Sequence, residues 1–331
     1  KLLLAFLLNP KHKRDVMHIT KHLSTSNKPL FSYEIVPPLR SSTSIQQVFD
    51  IIDKLLPYNP KWINVTTHAS SLLYVENPDG TISKRIHKKR PGTIGICGVI
   101  QNKYNIDAVA HVICQGFSQQ ETEDALIELN YMGIDNILAL KGDNLNYNRQ
   151  IASYESTNKY AKNLIEQVSK IKQGRFLGDT EYPAINFCIG VAGYPEKHFE
   201  AANMELNLDY LKQKIAAGAE YIVTQMFFDN QKFYNFVTIC RAAGINVPII
   251  PGIKVLKSAT QISSLAKLFH IDIPNQLVTQ ILANPEQAQQ IGITWAQQQV
   301  RELIKFGVPC VHFFLMNDVD NVIAVIKDIE A

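Results

Sequence analysis

A lone glutamate stands inside an apolar and aromatic stretch, FSYEIVPP, where Glu34 lies between Tyr33 and Ile35 and Pro37-Pro38 follow. A carboxyl in such surroundings resists ionisation, which suits a general acid with a raised pKa; a salt-bridged strand carboxylate is the plainer alternative. Further along, Lys141-Gly142-Asp143 sets a cation beside an anion across a glycine that allows close backbone approach, a pattern for a polar heterocycle or a phosphate. Gln225 interrupts the apolar run YIVTQMFF, so its amide needs a partner, either a ligand ring or a neighbouring strand. Tyr194 and His198, in GYPEKHFE, suit a cofactor clamp or simple packing, and His111 is read as beginning its strand. Thr66, Thr67, His68, Gln115 and Asn317 complete the polar set. No Ser-His-Asp order, cysteine nucleophile or phosphate-binding P-loop appears among them.

These residues need elements that bring them to one place. Short apolar, β-branched runs recur at 30–36, 62–67, 111–115, 136–141, 184–191, 221–228, 247–253 and 311–316. Amphipathic stretches at 43–56, 118–132, 155–171, 203–217, 230–243, 258–269 and 318–329 follow most of them. Residues 41–44 offer helix caps, while Gly133, Gly218 and Gly244 lie where helices should stop. Eight such units predict an α/β fold, a single (β/α)8 TIM barrel of residues 17–331 with extra helical insertions after the second strand and across 274–306. In that fold the chemistry collects at the C-terminal ends of the strands, which is where the residues above fall. An open dinucleotide-binding sheet is excluded because its first turn reads EIVPPLRSS, without GxGxxG. The cluster GTIGICG resembles a small-residue helix face.

The 331 residues are 46% hydrophobic and 19% charged, proportions that exclude a disordered, collagen-like or coiled-coil chain. The net charge is only +3, and the one dense basic run, KRIHKKR at 84–90, lacks interleaved aromatics, so it is read as a solvated loop or helix face and no nucleic acid is expected. Five scattered cysteines without a Cys-x-x-Cys pair read as core residues of a reducing compartment. His18 and His22 have helical i,i+4 spacing but no HExxH, so an exposed helix face is preferred and no metal is assigned. The longest apolar run, residues 2–8, falls far short of the roughly 20 residues that span a membrane. A cytoplasmic protein is expected, with residues 1–16 as an extension outside the fold.

Taken together, FSYEIVPP, NVTTHAS, LALKGDN, GVAGYPEKH and VTQMFFD resemble the methylenetetrahydrofolate reductase family, in order and from about Met17 to the C-terminus. The resemblance implies a (β/α)8 barrel that binds FAD without a dinucleotide motif. It also implies hydride transfer from NADH or NADPH to flavin, and from flavin to 5,10-methylenetetrahydrofolate, giving 5-methyltetrahydrofolate. By motif, Glu34 is the general acid for the leaving nitrogen, Asp143 faces flavin and pterin, and Gln225 and Gln261 hold the folate. FAD falls to Thr66, His111, Lys141, Gly142, Asp143, Tyr160, Ala161, Tyr194, His198 and Lys214. The family also suggests a homo-oligomer. Because the chain ends after its last barrel helix, inhibition through a large regulatory domain is not expected. Several positions depart from the family: Lys141 replaces a common arginine, Asn207 an aspartate and Leu265 an aromatic residue, and Asp318 stands where some bacterial members have an arginine for folate. The alternatives are another flavin-dependent barrel oxidoreductase resembling proline dehydrogenase, and a non-catalytic folate- or nucleotide-binding barrel.

Overall fold

The computed structural model describes residues 16–330, apart from 42–43, 143–148, 150 and 317. Eight parallel strands close on themselves: β1 (Leu30–Ile35), β2 (Trp62–Val65), β5 (Asp107–Ile113), β6 (Asn136–Leu140), β7 (Cys188–Gly193), β8 (Tyr221–Met226), β9 (Ile249–Ile253) and β10 (Cys310–Phe314). They follow chain order around the barrel, and β10 pairs with β1 to close it. All eight predicted strands are present; the third and fifth are displaced, so His111 is the fifth residue of β5 rather than its beginning.

The outer layer consists of α2 (Gln46–Leu55), α3 (Thr93–Tyr104), α4 (Gln119–Tyr131), α5 (Ala161–Ile171), α6 (Met204–Ala216), α7 (Asn230–Ala242), α8 (Thr260–Phe269) and α11 (Val319–Glu330). Local chemistry sets their limits. Ser118 and Glu121 form a reciprocal capping box at the start of α4, and Ser44 Oγ accepts from Gln46 N before α2. Gly133 and Gly244, with φ of 74° and 80°, adopt the left-handed turn that ends α4 and α7. Helix α5 starts at Ala161, later than its apolar pattern suggested. GTIGICG lies on α3, as read from its small residues.

The two insertions differ in kind. Residues 274–306 are helical, as α9 (Asn275–Ala283) and α10 (Ala288–Phe306). The insertion after β2 is instead an antiparallel hairpin, β3 (Ser71–Glu76) and β4 (Ile82–His87). Its turn is closed by Asp79 Oδ1, which accepts from Thr81 N, and by Gly80 at φ 79°. The basic run 84–90 therefore lies on β4 and the loop after it, not on a helix.

Alternation along the strands separates two cores. Tyr33, Ile35, Ile63, Val65 and Phe313 belong to the cluster shared with the helices. Trp62, Val109, Leu138, Cys188, Tyr221, Ile250 and Cys310 form a second cluster inside the barrel. Ile19 and Leu23 of the short helix α1 (Ile19–Thr25) join that second cluster and close the N-terminal end of the barrel. The glycine at 190 is required here, since a Cβ would stand 2.2 Å from the Tyr221 ring that fills this floor.

Helix α1 corrects one expectation. His22 is buried, not on an exposed face, and its Nε2 lies 2.6 Å from Asp107 Oδ2. All five cysteines are buried and free. No helix among the described residues is long and apolar enough to cross a membrane. The expectation for residues 1–16 falls almost wholly on residues 1–15, outside the described part of the chain.

Candidate active site

The interior alternation that fills the floor with apolar groups turns polar toward the C-terminal end. On β1 the inward row runs Leu30, Ser32, Glu34; on β10 it runs Cys310, His312, Phe314. Parallel register pairs Ser32 with His312 directly, and Ser32 Oγ lies 2.9 Å from His312 Nδ1. On the other side Glu34 pairs in register with Asn64 of β2, whose Nδ2 is 3.4 Å from His111 Nε2. Glu34 therefore sits between two imidazoles, with Oε2 3.5 Å from His111 Nε2 and 3.7 Å from His312 Nε2.

The acid's electrostatics differ from the sequence expectation. Glu34 is only 12% exposed, and burial does push its carboxyl upward. The imidazole of His312, then those of His111 and His68, outweigh that push, so the carboxyl lies below the ordinary glutamate range. An apolar mouth would have raised it; this mouth is lined by histidines. Burial is also the chief influence on His111, whose pKa falls to about 4 despite the nearby Glu34 carboxylate.

A second group of residues gathers across β6, β7 and α6. Lys141, just past β6, makes a two-pronged ion pair with Glu200 at 2.6 and 2.8 Å, and its ammonium lies 5.3 Å from the Tyr160 ring centroid. Tyr160 precedes Ala161, the first residue of α5. Tyr194 and His198 stack edge to face at 4.5 Å, so the two candidate clamp residues do meet. Asn207 holds their loop by accepting from His198 N and donating to Tyr194 O. Lys214 reaches back along α6 to donate to Ala192 O at 2.6 Å, with its Nζ 5.8 Å from the Tyr194 ring. Burial lowers the Lys214 pKa to about 8.

The remaining predicted residues that the structure describes fall at the same end of the barrel. Gly142 adopts φ 84°, which strains any residue with a side chain, and an added Cβ would lie a tight 3.2 Å from Gln115. Thr66 follows β2 with a buried Oγ1 that has no hydrogen-bond partner. Gln225 is half-buried near the end of β8, where its Oε1 accepts from Met226 N. Gln261, in the first turn of α8, accepts from Lys257 N. Asp143 and Asn317 lie outside the described residues. Leu265 faces an apolar cluster with Met226 and Phe228 and is 3% exposed, so it packs rather than lines the mouth.

The sequence reading missed four contributors: Ser32, Asn64, His312 and Lys254. The first three lie on inward rows, two residues before a polar mouth position or directly beside one, and alternation in FSYEIV and VHFFLM would have found Ser32 and His312. Lys254, immediately after β9, is 2% exposed and donates to the carbonyls of Phe314 and Leu315 at 3.2 and 3.1 Å.

Near the barrel's base, His18, Cys188 and Glu220 place possible ligand atoms within 4.8 Å of one another. His18 Nε2 is engaged by Asn186 O, Glu220 by Lys172, and burial pushes the Cys188 thiol up to about 11. No metal is assigned there.

A closed parallel barrel with a largely enclosed acid between histidines and a lysine pair at its C-terminal mouth defines a (β/α)8 barrel enzyme. The family model described as Methylenetetrahydrofolate reductase matches residues 18–330, and the chain belongs to that family. It is 32% identical over 300 residues to methylenetetrahydrofolate reductase 1 of Schizosaccharomyces pombe, covering 89% of this chain and 45% of that protein. The 5,10-methylenetetrahydrofolate reductase of Pectobacterium carotovorum subsp. carotovorum is 30% identical over 289 residues, covering 86% of this chain and 85% of that one. The chain thus spans about half the length of the yeast relatives it matches but most of the bacterial one. Among solved structures, a Clostridium thermocellum protein described as binding two copies of 5-methyl-5,6,7,8-tetrahydrofolic acid superposes with a TM-score of 0.57 at 14% identity. It covers 93% of this chain and 98% of that one, and its likeness is one of fold.

Proposed function

We propose that this chain reduces 5,10-methylenetetrahydrofolate to 5-methyltetrahydrofolate, using FAD and a reduced nicotinamide, NADH or NADPH. The observation that carries the reading is the largely enclosed Glu34 at the C-terminal end of β1, held between His111 and His312 on a barrel of this family. A carboxyl so placed can hand a proton to a departing nitrogen.

The residues present suit FAD. Thr66 Oγ1 is a buried hydroxyl oxygen without a partner, Gly142 leaves the backbone bare, and Lys214 brings a half-buried ammonium toward the Tyr194 ring. Thr66, His111, Lys141, Gly142, Asp143, Tyr160, Ala161, Tyr194, His198 and Lys214 would hold the cofactor, with Lys214 and Lys141 offsetting its phosphate charge. When bound, the flavin supplies hydride transfer. The chain's own part is to orient and to move a proton. Gln225 and Gln261 present amides to the pterin, and the Gln225 amide also suits a nicotinamide carboxamide. Glu34 delivers its proton to the nitrogen that leaves the methylene bridge. A cytoplasmic location accords with five free cysteines.

The deciding experiment is purification followed by a visible spectrum, anaerobic reduction by NADH or NADPH, and reoxidation by methylenetetrahydrofolate. A yellow protein that completes both half-reactions supports the reading. Reduction without reoxidation by the folate assigns another flavin-dependent oxidoreduction, and failure to take up FAD assigns a binding barrel without redox activity.

A further inference from the structure

The two imidazoles beside Glu34 have different hydrogen-bonding roles. On the β10 side, Cys310 Sγ lies 3.5 Å from Ser32 Oγ, and Ser32 Oγ lies 2.9 Å from His312 Nδ1. With the thiol donating to the hydroxyl oxygen rather than to Val311 O, also 3.5 Å away, the hydroxyl hydrogen serves Nδ1 and leaves Nε2, the nitrogen nearer the carboxylate, to carry the ring's N–H. A neutral imidazole carries one N–H, so acceptance at Nδ1 leaves Nε2 as the donor. That Nε2 is buried, lacks any hydrogen-bond partner, and lies 3.7 Å from Glu34 Oε2. A shift of less than an ångström by either side chain would make the bond.

On the β5 side the polarity is reversed. Asn64 Nδ2 donates toward His111 Nε2, which therefore presents a lone pair, and that nitrogen is 3.5 Å from the same Glu34 oxygen. Burial keeps His111 neutral at neutral pH, in keeping with an acceptor. His68, on the loop after β2, also acts on Glu34 by its charge when protonated. Glu34 thus faces one imidazole whose N–H can receive its ionised form, His312, and one whose lone pair is already engaged by Asn64, His111.

We propose that His312 is a positioning residue for Glu34, its Nε2–H receiving the carboxylate once Glu34 has given its proton away. The proposal rests on the reading of Glu34 as the proton donor to the folate nitrogen. In that step the O–H bond of Glu34 breaks, an N–H bond forms on the departing nitrogen, and the carboxylate left behind turns to His312. Solvent returns the proton before the next turnover. Because the donor stabilises the ionised form, removing it makes Glu34 a weaker acid that keeps its proton to higher pH.

The test compares the pH dependence of flavin reoxidation by methylenetetrahydrofolate in the wild type, His312→Leu and His312→Gln, each pre-reduced by the nicotinamide. Leucine has similar bulk without a donor, whereas glutamine retains an N–H near the Nε2 position. In His312→Leu the alkaline fall in rate should begin about one pH unit higher, with flavin reduction by NADH or NADPH within about twofold of wild type. His312→Gln should keep the wild-type profile. Ser32→Ala gives a second route, because it removes the tautomer's anchor and leaves both reacting groups in place; its profile should move in the same direction by less. An unmoved profile in His312→Leu and Ser32→Ala, or equal displacement in the leucine and glutamine variants, would overturn the proposal and leave His312 a space-filling residue. Equal slowing of both half-reactions would overturn it in favour of flavin placement. A wild type reduced by nicotinamide but inert to the folate would instead remove the acid role of Glu34, and the proposal with it.

Discussion

His22 Nε2 stands 2.6 Å from Asp107 Oδ2, a buried contact that ties α1 to the first residue of β5. Helix α1 is therefore part of the barrel and not a prelude to it. Removing residues 1–16 is expected to leave FAD content and urea stability unchanged, since the contacts that Met17, His18 and Ile19 make with the base of the barrel all survive the deletion. His22→Leu, by contrast, deprives the buried Asp107 of its imidazole and should cost roughly 2–3 kcal/mol in urea unfolding. A cooperative transition at the wild-type midpoint would show that the contact contributes nothing.

Glu34→Gln keeps the size and polarity of the side chain but has no acidic proton. The variant should retain FAD and its reduction by NAD(P)H, measured with an artificial electron acceptor, while losing about 10²-fold or more in reoxidation by the folate. Because its pKa lies below the ordinary range, Glu34 is mostly ionised near neutral pH and its acid form grows as pH falls. Reoxidation in the wild type should accordingly rise toward acid pH, and stopped-flow traces should show that dependence absent from the glutamine variant.

Lys214 carries a pH dependence of its own. With a pKa drawn down to about 8 by burial, its ammonium is present at pH 7 and largely gone at pH 9. FAD affinity should weaken across that interval as the phosphate loses its partner. Lys214→Met should bind FAD more weakly at pH 7 and show little further change by pH 9. Titration of the apoprotein by flavin fluorescence reads both effects; a wild-type affinity that is flat with pH would detach Lys214 from the cofactor.

Lys254 makes a prediction about stability. Its pKa is about 8 when folded, against 10.5 for the ordinary side chain, so between those values the unfolded chain binds the extra proton. Stability therefore rises with pH from about 8 to about 10.5 and falls again as pH returns through that window, with roughly 3 kcal/mol at stake. Lys254→Met should flatten that rise in denaturant midpoints taken between pH 7.5 and 10. An identical slope in the variant would assign the dependence to other groups.

The fold was legible because parallel strands buried on both sides read as continuous apolar runs, and the helices between them keep their own period. The hairpin after β2 was missed although NPDG, flanked by alternating residues, is a turn signal; an insertion was expected to be helical, and the signal went unused. In the site, Glu34, Gln225 and Lys141 stood out as polar residues in apolar runs, and family motifs supplied others. What could not be read was who faces whom. Glu34 and His312 are 278 residues apart and meet only because β10 closes the barrel against β1, and that closure reverses the expected direction of the acid's pKa. Lys141 likewise found Glu200, a partner that no local spacing announces.

With Ile19 and Leu23 among Trp62, Tyr221 and their neighbours, the described residues fill the base of the barrel and leave its C-terminal mouth as the doorway. On the proposed chemistry, the nicotinamide and the folate must queue at that doorway, each having to depart by the route on which the next arrives. An excess of either guest then delays the other's entry, so throughput is governed as much by vacating the mouth as by the reaction carried out inside it.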